Sequence, residues 1–217
     1  MIDFHTHSML SDGELIPSEL IRRAEVAGYR GLVITDHVDE SNMECVISGV
    51  LKVTGAAARG RGRLKVVAGV EITHVPPSRI AAAVREARRL GARFVVCHGE
   101  TPVEPVAPGT NLAAIKAGVD LLSHPGLITE RAAAMAADRG VALELTSRKG
   151  HSLANGHVAR MAVKHGARLV VNTDAHGPAD LMDMEKARLV VMGAGLGSRD
   201  FNRIRKNAEK LLERIAP

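Results

Sequence analysis

The sequence has few aromatic residues and few cysteines. It contains no Trp, and only 3 Phe and 1 Tyr occur among its 217 residues. A hydrophobic core must therefore be built from Val, Leu, Ile and Ala, as is common in parallel sheets that are buried on both faces. The scarcity of aromatic rings argues against a surface on which nucleic-acid bases stack. The two cysteines, Cys45 and Cys97, provide neither a disulfide framework nor a ligand-spaced pair.

Long hydrophobic runs are also missing. No apolar run reaches the roughly 18 residues that a membrane-spanning helix needs, and Asp3, His5 and His7 interrupt any apolar stretch at the N-terminus. We therefore expect a soluble, cytoplasmic protein without a membrane partner. No linker or break in composition divides the sequence, so we expect a single domain over residues 1–217. The formal net charge of +5 suits an anionic substrate but is weak evidence by itself.

Short β-branched runs alternate along the chain with Ala-, Leu- and Arg-rich segments of helical period. The predicted strands are Ile2–His5, Gly31–Thr35, Leu64–Glu71, Arg93–His98, Val119–His124, Val141–Thr146 and Arg168–Thr173. The predicted helices are Pro17–Ala27, Glu44–Arg59, Ser78–Leu90, Leu112–Ala117, Glu130–Arg139, Gly156–His165, Leu181–Met192 and Ser198–Ile215. This alternation implies parallel strands, and the chain is slightly shorter than a typical eight-fold barrel. We predict an α/β fold, a distorted seven-stranded (β/α)7 TIM-like barrel.

Most of the predicted strands end in a histidine or a carboxylate. Active sites of parallel barrels lie at the C-terminal ends of the strands, so we expect these side chains to share one pocket. Alternation in an extended segment also places His5 and His7 on the same side. Nine ligands are too many for one ion, and a mixed imidazole and carboxylate set suits two or three ions of zinc, manganese or iron. The nine candidate metal ligands are His5, His7, Asp12, His37, Glu71, His98, His124, Asp174 and His176.

The motifs around these residues resemble those of the PHP (polymerase and histidinol phosphatase) superfamily. The matching segments are His5-Thr6-His7-Ser8, Ser11-Asp12-Gly13, Thr35-Asp36-His37, Gly69-Val70-Glu71, His98, Ser123-His124-Pro125 and Asn172-Thr173-Asp174-Ala175-His176. The resemblance covers nearly the whole chain and implies a seven-stranded barrel, a trinuclear metal site and phosphoesterase activity. It also implies a distribution of ligands: His5, His7, Glu71 and Asp174 on a first ion, Glu71, His98 and His124 on a second, and Asp12, His37 and His176 on a third.

Such a site would supply its own nucleophile. Water that bridges two cations is acidified, so a metal-bound hydroxide exists near neutral pH and no side chain needs to attack the phosphorus. Nothing in the sequence resembles a Ser/His/Asp arrangement or a nucleophile elbow. Cys97 directly precedes His98, so we expect its side chain to point the opposite way, into the packing.

Two loops are candidates for substrate contact. Arg148 and Lys149 follow a strand that contributes no ligand, and they could bind phosphate oxygens; the alternative is a solvated basic loop. His151 in the same loop is either a further site residue or an ordinary loop histidine, and the second interpretation is slightly favoured. The Gly99–Asn111 loop is rich in proline, as an active-site lid could be. Glu100 and Glu104 in this loop are expected to face solvent. We interpret His74, His157 and His165, which lie off the pattern, as structural or surface residues.

These observations favour a metal-dependent phosphatase that acts on a small phosphomonoester, either similar to histidinol phosphate or a nucleotide. A nuclease or nucleotide phosphodiesterase would use the same metal chemistry and remains an alternative. The second alternative is an RNA-binding subunit like that of ribonuclease P, in which the resemblance implies that the metal ligands are largely lost. Because the full ligand set is present here and the basic excess is small, a nucleic-acid partner is less favoured but stays open. The sequence indicates no oligomeric state.

Overall fold

The computed structural model describes residues 1–58 and 63–216, in which strands and helices alternate. The strands are β1 (Ile2–Thr6), β2 (Gly31–Ile34), β3 (His37–Val38), β4 (Lys65–Ile72), β5 (Phe94–His98), β6 (Leu121–Ser123), β7 (Ala142–Thr146) and β8 (Leu169–Asn172). The helices are α1 (Pro17–Val26), α2 (Met43–Ala58), α3 (Pro77–Arg89), α4 (Thr110–Ala117), α5 (Glu130–Arg139), α6 (Asn155–His165), α7 (Met184–Gly193) and α8 (Ser198–Ile215). A 3₁₀ turn, His151–Ala154, precedes α6.

The strands form a nearly closed barrel of seven parallel positions. They follow the order β1-β2-β4-β5-β6-β7-β8, and β3 pairs with β4 beside β2. β2 and β3 act as one interrupted strand, because β2 pairs with the first half of β4 and β3 pairs with its last two residues. A parallel bridge between Thr6 and Ala175 brings the chain after β8 back to β1. The predicted α/β barrel is therefore confirmed, with seven strand positions.

The interior of the barrel is filled by apolar side chains and closed at one end by α8. Phe4 and Phe94 stack inside it with ring centroids 5.3 Å apart. Leu211, Leu212 and Ile215 of α8 belong to the same buried cluster. Leu212 packs directly over the start of β2, where a Cβ on Gly31 would lie 2.6 Å from its Cδ2 atom. Because α8 covers the N-terminal ends of the strands, the opposite, C-terminal end is left for a polar site.

Several element boundaries differ from the sequence prediction for local reasons. β6 ends at Ser123 because His124 leaves the extended conformation, with a φ of 24°. α7 begins at Met184, later than predicted, because the Asp183 side chain caps it by accepting a hydrogen bond from the Lys186 amide. Arg59, the predicted end of the second helix, lies outside the described residues. Among the residues that are described, no helix is long and apolar enough to cross a membrane.

Candidate metal centre

The nine strand-end side chains predicted as ligands converge at the C-terminal end of the barrel. The His7 ring lies at the middle of the group, with ring centroids 4.2 Å from both His37 and His176 and 5.0 Å from His5. His124 lies between His5 and His98, with its ring centroid 5.6 Å from that of His5 and 4.4 Å from that of His98. These side chains therefore form one continuous polar cluster rather than several separate strand ends.

The Glu71 carboxylate lies between two sets of histidines. Its Oε1 atom is 3.2 Å from His5 Nε2 and 3.8 Å from His124 Nε2. Its Oε2 atom is 2.8 Å from His37 Nδ1 and 3.8 Å from His7 Nε2. The side chain is fully buried. Since each oxygen faces a different set of imidazoles, the carboxylate is positioned to touch two cations at once.

Asp174 supplies the second buried carboxylate at the middle of the cluster. Its Oδ1 atom lies 3.3 Å from His7 Nε2 and 3.6 Å from His5 Nε2, and its Oδ2 atom lies 3.7 Å from His124 Nε2. The residue adopts a left-handed backbone with a φ of 53°. A non-glycine residue pays conformational energy for this φ, and such strain is concentrated at functional sites.

A more exposed group of donors lies on the side of His37. Asp12 Oδ2 is 3.2 Å from His176 Nε2 and 3.6 Å from His37 Nε2. One donor atom from each of these three residues and one from His7 all lie within 4.8 Å of one another. The Asp12 side chain is 54% exposed, so this group is open to solvent.

Among the nine predicted ligands, which all lie in the described part of the chain, four buried imidazole nitrogens have no hydrogen-bond partner: His5 Nε2, His7 Nδ1, His7 Nε2 and His124 Nδ1. Buried polar atoms in folded proteins almost always have a partner, so four such atoms in one cluster require an explanation. Divalent cations would supply that partner, and imidazole with carboxylate is a donor set suited to zinc, manganese or iron. The residues present therefore fit a metal centre.

The charges in the cluster perturb one another strongly. Burial raises the pKa of Asp174 to about 7, because the Glu71 and Glu144 carboxylates add to its effect while His5 opposes it. Burial also acts to raise the pKa of Glu71, but His5 and His37 outweigh it and hold that pKa well below its usual value. Burial lowers the pKa of His7, with help from His37 and His5, which favours the neutral imidazole that ligates metals.

Glu144, in the middle of β7, is a functional candidate that sequence reasoning missed. It is fully buried and faces the cluster. Its Oε1 atom lies 2.9 Å from His5 Nδ1 and accepts a hydrogen bond from Asn172 Nδ2 (2.8 Å), and its Oε2 atom accepts one from the His124 amide (2.9 Å). A carboxylate on the far nitrogen of an imidazole is the usual support of a metal-binding histidine. The available signal was a lone carboxylate in an otherwise apolar strand.

Asp36 fixes the loop that carries His7 and Asp12. Its carboxylate accepts hydrogen bonds from the Ser8 amide (2.7 Å), the Ser8 hydroxyl (2.7 Å) and the Ser11 hydroxyl (2.8 Å). The same loop requires a glycine at position 13, because a Cβ there would lie 2.5 Å from the His7 carbonyl oxygen. Asp36 thus orients ligand candidates without facing the cluster itself.

A cleft of about 510 Å³ opens beside the cluster, lined by Val103, Glu104, Ser147, Arg148, Lys149, His151, Thr173, Asp180 and Lys186. The Arg148 Nε atom lies 3.7 Å from Asp174 Oδ2, so the guanidinium borders the candidate metal centre. Lys149 is exposed and lines the same cleft. Lys186, which sequence reasoning did not select, adds a third cation to the lining.

The structure corrects several expectations about the loops. His151, expected to be an ordinary loop residue, is buried with its ring centroid 4.2 Å from that of His124. Glu104 does not simply face solvent, because its Oε1 atom lies 3.3 Å from His151 Nε2. His74 is exposed, as expected for a structural or surface residue, and its Nε2 atom lies 3.4 Å from Glu104 Oε2.

Glu100, also expected to face solvent, is half-buried, and its Oε1 atom accepts hydrogen bonds from the Gly109 and Asn111 amides, which closes the base of the loop. The expectations for His157 and Cys97 hold. His157 binds the Ile128 carbonyl oxygen at 2.8 Å. Cys97 is buried, and burial raises the pKa of its thiol, which disfavours the thiolate that a nucleophile requires.

Comparison with known proteins places this chain in a family. The model of the PHP domain matches residues 3–124, which is more than half of the chain. The chain belongs to the PHP family. An uncharacterized protein of Methanocaldococcus jannaschii is 44% identical over 215 residues, covering 98% of this chain and 99% of the relative. A protein of Shewanella sp. (strain ANA-3), described as a probable phosphatase, is 35% identical over 108 residues, covering 41% of this chain and 43% of that protein.

Solved structures of PHP-like barrels share the fold at low sequence identity. A chain from archaeal ribonuclease P in complex with mature tRNA aligns with a TM-score of 0.72 at 19% identity, covering 97% of this chain and 90% of that chain. Histidinol phosphate phosphatase of Lactococcus lactis, complexed with zinc, L-histidinol and phosphate, aligns with a TM-score of 0.64 at 16% identity, covering 90% and 94% of the two chains. At these identities the likeness extends to the fold alone.

Proposed function

We propose that this PHP-family protein is a metal-dependent phosphoesterase that hydrolyses a small phosphomonoester at the barrel mouth, with two or three divalent ions. The observation that carries the proposal is the buried Glu71 carboxylate, whose Oε1 atom faces His5 and whose Oε2 atom faces His37. A carboxylate between two donor sets is what a multinuclear centre requires, since its negative charge offsets the repulsion between neighbouring cations. The probable phosphatase among the relatives supports the same reaction class.

Each part of the cluster has a role in this reaction. The bound cations would acidify a water molecule and neutralise charge on the phosphate. Glu71 and Asp174 would hold the cations together with His5 and His7. Arg148 stands 3.7 Å from Asp174, where its guanidinium can bind the phosphate oxygens that do not react. The surrounding buried side chains lower the local dielectric, which strengthens each of these charge interactions.

The cleft favours a small substrate over a polynucleotide. Its volume of about 510 Å³ lies within the roughly 300–1,000 Å³ typical of small-molecule sites. Val103 and Glu104 of the Gly99–Asn111 loop form one of its walls, which narrows access to the cluster. Lys149 and Lys186 add positive charge to the same cleft. A monoester similar to histidinol phosphate, or a nucleotide, fits these features.

A phosphate-release screen tests the proposal. The full chain is loaded separately with zinc, manganese or iron and assayed against phosphorylated metabolites, nucleotides, a phosphodiester and a single-stranded oligonucleotide. We expect metal-dependent release from one class of monoester and little from the diester and the oligonucleotide. Preferential cleavage of the diester or oligonucleotide would instead establish the phosphodiesterase alternative. Binding of RNA without any hydrolysis, in metal-loaded protein, would contradict an enzymatic role.

A further inference from the structure

One histidine of the cluster is paired differently from the rest. His98 Nδ1 lies 3.2 Å from the Gly99 carbonyl oxygen, so Nε2 is the atom available for a ligand. Among the described residues, the carboxylate within 4.0 Å of His98 Nε2 is Glu104, with Oε2 at 3.1 Å. The resemblance to the superfamily implied Glu71 and His124 as the companions of His98. The distances instead direct its donor atom toward the Gly99–Asn111 loop.

Glu104 also meets His74, which follows the end of β4. Its Oε2 atom lies 3.4 Å from His74 Nε2. One donor atom each from His74, His98 and Glu104 lies within 4.8 Å of the other two. Two atoms bound to one zinc ion at about 2.0–2.1 Å, at a tetrahedral angle, lie about 3.3–3.4 Å apart. The 3.4 Å separation from His74 lies in this range, and the 3.1 Å separation from His98 is slightly shorter, so a small side-chain shift brings the three donors to the spacing of ligands on a common ion.

The backbone supplies an independent observation about His74. Among the described residues, the non-glycine residues with positive φ are His74 (53°), His124 (24°) and Asp174 (53°). The other two belong to the metal cluster. A positive φ at a non-glycine residue costs about 1–3 kcal/mol and is concentrated at functional sites, although histidine adopts it more readily than most residues. His74 therefore shares a backbone conformation with two residues of the metal cluster, while its side chain is 44% exposed.

Glu104 is carried by a loop whose base is fixed. Glu100 Oε1 accepts hydrogen bonds from the Gly109 and Asn111 amides at 3.1 and 2.8 Å, and the Glu100 amide donates to Asn111 Oδ1 at 3.0 Å. Asn111 Nδ2 also donates to the Pro125 carbonyl oxygen at 2.9 Å, beside His124. These hydrogen bonds hold both ends of the loop at the barrel mouth. The loop therefore presents Glu104 to the histidines in a defined position.

We infer that His74, His98 and Glu104 bind a divalent cation at the rim of the centre. Two imidazoles and one carboxylate match the ligand set of zinc sites that keep a position open for water or substrate. Glu104 also lines the cleft, so an ion held here would lie beside a bound substrate. The Gly99–Asn111 loop would then supply a ligand in addition to forming a wall. The inference concerns metal binding and does not require the phosphoesterase reaction.

Two substitutions isolate this site with little disturbance of the fold. His74→Asn removes the imidazole and keeps the left-handed backbone, which asparagine tolerates better than most residues. Glu104→Gln keeps the shape of the side chain and removes its charge. Matched controls are His165→Asn on α6 and Glu25→Gln on α1, which lie outside the barrel mouth. Circular dichroism and thermal unfolding verify that every variant is folded.

Zinc binding by the full chain is measured by equilibrium dialysis and mass spectrometry of bound metal. We expect His74→Asn and Glu104→Gln each to weaken one zinc-binding step by about tenfold or more, since loss of supporting groups alone costs that much. The double variant should affect the same single step, because both ligands serve one ion. The two controls should match the wild-type chain.

Wild-type stoichiometry and affinity in both ligand variants would overturn the inference. If Glu71→Gln lost zinc in that same experiment, the result would support the metal centre of the proposed function and reject the rim site formed by His74, His98 and Glu104. If the wild-type chain bound no zinc, manganese or iron at all, the rim site and the metal centre would fail together. Retention of one weakened step in either folded variant, with unchanged controls, would support the rim site regardless of whether a substrate has been found.

Discussion

The substitution Glu144→Gln tests how the barrel orients its metal ligands. Glu144 Oε1 faces His5 Nδ1 at 2.9 Å and Asn172 Nδ2 at 2.8 Å, and Oε2 faces the His124 amide at 2.9 Å. If His5 Nε2 binds a cation, its proton must reside on Nδ1 and be donated to Glu144. All three partners of the carboxylate are then donors. Glutamine has only one acceptor oxygen, so its NH₂ group must face a donor.

The size of the effect follows from these contacts. Leaving one buried donor unsatisfied costs about 1–3 kcal/mol of unfolding free energy. Losing the group that orients a ligating histidine weakens metal affinity by about 10–100-fold, which corresponds to about 1.4–2.7 kcal/mol. Zinc titration and denaturant unfolding measure the two quantities separately, and Glu25→Gln on α1 serves as the control away from the barrel mouth. Unchanged zinc affinity in a folded Glu144→Gln variant would refute the orienting role.

Three further outcomes follow from the same structure. Arg148→Ala should lower kcat/KM by about 10–100-fold through loss of a charge-assisted contact, with zinc content unchanged; equal efficiency would make Arg148 a solvated loop residue. Cys97→Ala should keep turnover near that of the wild-type chain, because the thiol is buried, and a collapse of turnover with zinc retained would restore it as a candidate nucleophile. Removing metal with a chelator should lower Tm by about 5–11 °C for each ion that had been present at a hundred times its dissociation constant; an unchanged calorimetric transition would contradict a buried metal centre.

The fold and the central cluster could be predicted because both leave local signals. Strand–helix alternation gave the parallel barrel, and a polar residue after each apolar run marked the strand ends, as at His98 and His124. The two-residue strand β3 was not predicted, since its pairing with the end of β4 depends on the closed barrel rather than on its own sequence. β6 is shorter than its apolar run suggested, because the positive φ of His124 ends the ladder.

The residues that were missed owe their positions to tertiary structure. Glu144 lies inside a strand, and only the register of β7 against its neighbours turns it toward His5. Glu104 reaches the cluster because Glu100 and Asn111 close the base of its loop, eleven residues apart in sequence. The position of the His74 side chain depends on a left-handed backbone conformation, which the sequence pattern does not predict. Single-residue signals of this kind are indistinguishable from ordinary surface polarity until the chain is folded.

The most direct test of a metal-dependent phosphoesterase at this cluster is phosphate release by wild-type and Glu71→Gln protein, each stripped with a chelator and then reloaded with metal. We predict that activity of the wild-type chain disappears on stripping and returns on reloading. The folded Glu71→Gln variant should stay inactive, because no other carboxylate faces both His5 and His37 among the described residues. Metal-independent phosphate release, or normal turnover by Glu71→Gln at unchanged metal content, would contradict the account.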